Sequence, residues 1–66
     1  MKGFIEVRAL STADSLLVNV NRITLVAPSK TPYGDSAEIL CPESGVFKTI
    51  ESYSEVKKRI ANALRE

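Results

Sequence analysis

Three sets of side chains in this sequence have the types and spacing to do chemistry: Cys41, the basic run at 57–59, and a mixed set at 30–35. A thiolate can be a nucleophile, a redox centre or a metal ligand, but it needs a cation or a second ligand beside it. Cys41 follows Ile39 and Leu40 and precedes Pro42, so it reads as a small apolar side chain at a strand end. Lys57, Lys58 and Arg59, together with Arg22, are the candidate contacts to nucleic-acid phosphates. On a helix that run is flanked by the inward-pointing Val56 and Ile60, which leaves it on the solvated surface. Glu55, four residues before Arg59, partly neutralises it. Lys30, Tyr33 and Asp35 offer a cation, a ring and a carboxylate on one candidate binding loop. The single Gly there gives none of the spacing of a phosphate-binding loop.

No catalytic constellation accompanies them. The chain has no His, and its Ser, Cys and Asp residues stand in no nucleophile-elbow or related motif. Its carboxylates are scattered singly, so no acid–base pair can be assembled from them. We therefore expect no enzyme and no cofactor. A lone Cys without His also makes no metal site.

The elements that must position these residues are best marked at the C-terminal end. Ser52 followed by Glu55 is a capping box, in which each side chain reaches the other residue's N–H. Tyr53, Val56, Ile60, Ala63 and Leu64 recur at helical spacing and predict one apolar face on a helix over 52–64. Lys57, Lys58, Arg59 and Arg65 suit the negative end of its dipole. Upstream, alternation and β-forming residues predict strands over 3–10, 15–20, 23–27, 37–41 and 46–50. Asn21-Arg22 is a one-turn bend or a bulge between the second and third. Residues 28–36, with two prolines and Tyr33-Gly34-Asp35, predict the longest irregular loop. Pro42-Glu43-Ser44-Gly45 reads as a hairpin connector. The expected fold is α+β, an antiparallel β-meander of four to five short strands with one C-terminal helix, in a single domain over 1–66.

Apolar residues occupy both sides of these strands. If Ile5 and Val7 lie under the helix, Phe4, Leu17, Val26 and Leu40 fall on the other side. The fifth strand carries Val46 and Ile50 against Phe47, with the helix-facing side open. One helix covers one sheet face, and a sheet with one wet face shows cleaner alternation than this. A domain of 66 residues is marginal alone and is usually reinforced by disulfides, a metal or self-association. Cys41 has no partner within the chain for a disulfide, and a metal site is not expected. Phe4, Leu17, Val26, Leu40 and Phe47 are the expected self-contact, and a homo-oligomer, dimer or higher, is the expected state.

Nine Lys and Arg against eight Asp and Glu leave a net charge of +1. Strong attraction to nucleic acid or to an anionic membrane is not expected at that balance. No apolar run approaches 18 residues, and Met-Lys-Gly-Phe-Ile-Glu-Val contains no apolar stretch of signal-peptide length. The expected compartment is the cytoplasm, with Cys41 reduced.

Phe4-Ile5-Glu6-Val7, then Val18-Asn19-Val20-Asn21-Arg22-Ile23 with Val26 and Pro28, and then Ile50-Glu51-Ser52-Tyr53-Ser54-Glu55-Val56, span most of the chain. Together they resemble the small bacterial proteins grouped as flagellar and swarming motility proteins. This sequence has a longer third loop and replaces the Asp-Gly or Asn-Gly turn by Pro42-Glu43-Ser44-Gly45. The resemblance implies a regulatory or assembly role exercised by binding another protein. A second likeness, to LytTR-type DNA-binding domains, implies the alternative of a small nucleic-acid-binding regulator using Arg22, Lys57, Lys58 and Arg59. The low net charge argues against that alternative. A small-molecule sensor would require a concave apolar pocket.

Overall fold

The computed structural model describes residues 3–43 and 45–65; Ser44, in the expected 42–45 connector, lies outside the described residues. The chain folds as α+β, with five antiparallel strands in two sheets and one C-terminal helix. Strands β1 (Phe4–Arg8) and β2 (Ser15–Asn19) form a ribbon. Strands β3 (Leu25–Thr31), β4 (Gly34–Cys41) and β5 (Gly45–Lys48) form the second sheet in that order. Helix α1 spans Tyr53–Arg65.

In the ribbon, Ile5 pairs with Val18 and Val7 with Leu16, which puts the expected apolar set on one face. Ile5, Val7 and Val18 are buried there. The interruption after β2 is a single 3-10 turn at Val20–Arg22. Asn19 caps it by accepting the Asn21 N–H on its Oδ1 at 3.0 Å. Ile23 packs against the core from the link after that turn, outside β3, so an alternation counted from it does not carry into the strand. Val26, expected on the outer side, packs against the core with Ile39, while Leu25 is turned outward.

The long loop expected over 28–36 is a hairpin. β3 runs through Pro28 to Thr31, β4 begins at Gly34, and Pro32-Tyr33 make the turn. Thr31 Oγ1 accepts the Tyr33 N–H at 3.1 Å and donates to the Gly34 carbonyl at 3.0 Å. Gly34 takes φ 122°, a region that side chains disfavour. Pro28 is tolerated because β3 is an outer strand, where a missing N–H need not break the ladder. Ser29, Lys30, Thr31, Asp35 and Ser36 are all polar, so this end of the hairpin carries no alternation to betray a strand.

The sheets meet at one corner through the Ala9–Thr49 bridge. There Leu10 N–H donates to the Lys48 carbonyl and Ile50 N–H to the Arg8 carbonyl, each at 2.9 Å. Thr49 is fully buried and donates its hydroxyl to the Glu51 carbonyl at 2.8 Å. Helix α1 then lays Val56 and Ala63 into the core, with Tyr53 and Ile60 half-buried beside them. Leu64, expected on that face, is exposed. Ser52 Oγ accepts the Glu55 N–H at 3.2 Å, as the capping box requires. The Glu55 carboxylate turns instead to Arg59, at 3.0 Å.

Candidate functional site

Two apolar areas remain uncovered among the described residues. The first is on the face of the three-stranded sheet opposite Ile39. The register sets Leu40 between Leu25 and Val46, so these residues form one row across β3, β4 and β5. Ile39 is fully buried and side chains alternate along a strand, so this row points away from the core. Leu25 is 53% exposed and Val46 57%, with Leu40 half-buried between them. The next row on the same face is Ala27, Glu38 and Lys48, which places a carboxylate opposite an ammonium on neighbouring strands.

The second area is a groove of about 500 Å³ where the ribbon and the β4–β5 side of the other sheet part. Phe4, Leu16, Leu17, Val18 and Phe47 supply its apolar walls, and Leu17 is 56% exposed. Arg22 and Glu43 line it as an ion pair. Cys41 also lines it but is buried. Burial pushes its thiol pKa up, and the Glu43 carboxylate adds to the effect.

Of the five residues expected to make the self-contact, Leu17 is exposed, and Leu40 belongs to the outer row. Phe4 is half-buried beside the groove. Val26 and Phe47 are corrected to the inner side, where both are half-buried and pack against the core in register with Ile39. Leu25 was missed, and Val46 is on the outward side of the fifth strand, whose orientation the sequence left open. The signal for Leu25 was where β3 begins, after Ile23 and not at it, together with the cross-strand register.

The basic residues do not act as one set. Arg22 is paired with Glu43. Arg59, expected on the open surface, is half-buried. It donates to the Glu6 carbonyl at 2.6 Å and lies 3.0 Å from Glu55 and 3.3 Å from Glu51. Lys57 sets its ammonium 4.9 Å from the centre of the Tyr53 ring, while Lys58 is exposed. Lys30 and Asp35 oppose each other across β3 and β4, and Tyr33 stands away from them at the hairpin tip, 89% exposed. Among the described residues no three metal-ligating side chains gather, and no helix is long and apolar enough to cross a membrane. No family model matches the chain, and no curated protein or solved structure matches it either.

Proposed function

We propose that this chain is a non-enzymatic binding domain that works as a homo-oligomer, joined through the outer face of its three-stranded sheet. The observation that carries this reading is the Leu25–Leu40–Val46 row, apolar side chains aligned across every strand of the sheet with no layer above them among the described residues. A second copy suits that face. A two-fold contact pairs a patch with itself, so it needs a patch that complements itself. Here the apolar row supplies the centre. The adjoining Glu38 and Lys48 offer opposite charges that each copy can present to the other. At a net charge of +1, two copies repel little.

The likeness to the flagellar and swarming motility proteins gives the assembly a regulatory or scaffolding role toward another protein. A thiol with no second cysteine in the chain suits a reducing cytoplasm. The test is the solution mass across a dilution series for the native chain and for Val46→Asp and Leu17→Asp. Association that V46D abolishes, with the circular dichroism spectrum kept, supports the reading. A compact monomer at every concentration overturns it, and loss on L17D alone moves the contact to the groove. Retention on random DNA that falls steeply with salt would favour instead a nucleic-acid contact through the exposed Lys57 and Lys58.

A further inference from the structure

A different region of the molecule carries an unfilled hydrogen-bonding demand. Between the β3–β4 hairpin and the start of α1 lies a concavity of about 420 Å³, lined in part by Ser29, Lys30, Asp35, Ser36, Ser52 and Ser54. Ser36 is 2% exposed, and its hydroxyl has no hydrogen-bond partner among the described residues. Such a group costs free energy unless something completes it. The start of the 13-residue helix α1 forms the facing wall. Its first N–H groups have no acceptor within the helix. Ser52 serves Glu55 through its hydroxyl and Val56 through its carbonyl, which leaves the Tyr53 and Ser54 amides unused by the cap.

We infer that this concavity binds a small oxyanion of low charge, a carboxylate or a phosphate monoanion. The chemistry of the lining favours an anion. Helix N-terminal amides carry partial positive charge, serine hydroxyls can all donate, and Lys30 supplies a full positive charge. The one acceptor-only group is Asp35, which faces Lys30 in register and repels a second negative charge. It sets the preference for a monoanion over a dianion. The buried Ser36 hydroxyl gives up its unmet demand when an anionic oxygen accepts from it. None of its residues belongs to the Leu25–Leu40–Val46 row, and Ser29 and Ser36 continue that parity two pairs further toward the hairpin end.

The probes are sodium phosphate and sodium acetate, added to the full chain at constant ionic strength against chloride. The readouts are backbone amide shifts and the unfolding midpoint. Saturable shifts at Tyr53, Ser54 and Ser36, with a millimolar midpoint and a raised unfolding temperature, support the site. A response to acetate alone assigns a carboxylate, and a response to phosphate near pH 6 that weakens at pH 8 assigns a phosphate monoanion. Asp35→Asn tightens binding by three- to ten-fold, and Lys30→Gln weakens it by a similar factor. Ser36→Ala unfolds at a higher temperature than the native chain in chloride but gains nothing from the anion. Shifts that never saturate, or a Ser36→Ala chain that responds as the native one does, overturn the inference.

Discussion

Arg59 joins segments that are distant in the chain. Its guanidinium reaches the Glu6 carbonyl on β1, the Glu51 carboxylate before α1 and the Glu55 carboxylate one turn back. Glu51 in turn accepts the Arg8 N–H at 3.0 Å, so one cation and one carboxylate fix the helix against the ribbon. The site is half open to water, which screens the ion pairs and leaves the hydrogen bonds as the main term. Arg59→Ala is expected to cost about 1 kcal/mol in urea unfolding, and Arg59→Lys to recover only part of it, because an ammonium lacks the planar fork. Cys41 gives a second prediction at this scale. Its thiol pKa is raised in the folded state, so the native chain holds that proton more tightly than the unfolded one does. Stability from this group is therefore intact below the ordinary thiol range and falls as pH rises from about 8.5 upward. A Cys41→Ala chain should lose less stability than the native one between neutral and alkaline pH, measured by denaturant midpoints. The buried character of Cys41 was legible from its apolar neighbours. The role of Arg59 was not, because its position on the helix gave the outward direction but not the ribbon that curls up beside it.

At the scale of elements, the point where β3 begins decides which of its side chains are buried: it starts at Leu25, and Ile23 before it faces the core from the link. Ile23 and Val26, three residues apart, both pack against the core, so an alternation counted from Ile23 through the link comes out reversed at Leu25 and Val26. Leu25→Asp should leave the fold intact, since Leu25 is already more than half exposed. Val26→Asp should unfold the chain or lower its stability by several kcal/mol, because it sets a charge against the buried Ile39. Circular dichroism and urea titration of the two variants separate the outcomes, and equal damage from both would refute the assigned register. The ribbon, the fourth and fifth strands and the helix were legible, because alternation and the Ser52 cap are local signals. The β3–β4 hairpin was not, since Pro28, Ser29 and Lys30 look like a loop until an edge position and a partner strand are supplied.

At the scale of the molecule, the described residues bury Ile5, Val7, Val18, Ala37, Ile39, Cys41, Val56 and Ala63, a small core for the apolar content of the chain. An interface of standard size takes about 800 Å² from each partner, which the total surface of 4468 Å² can supply from one sheet face and its margins. Association would then contribute to folding stability by mass action. The unfolding temperature of the native chain should rise with protein concentration, and that of Val46→Asp should not, as read by scanning calorimetry. The excess of apolar side chains was visible beforehand, but the surface that displays them was not. Of the expected contact residues, Val26 and Phe47 went inward, and Leu25 and Val46 took the outer places beside Leu40.

Sequence alone determined the α+β class, the antiparallel strands, the capped helix and the surplus of apolar side chains. Each of those follows from propensities and spacings within a few residues. Tertiary structure decided which surplus side chains meet in one row, which cations are tied to carboxylates, and that a buried serine lines a concavity at the helix start. Those outcomes depend on register and on strands brought together across the chain, and no local spacing encodes them.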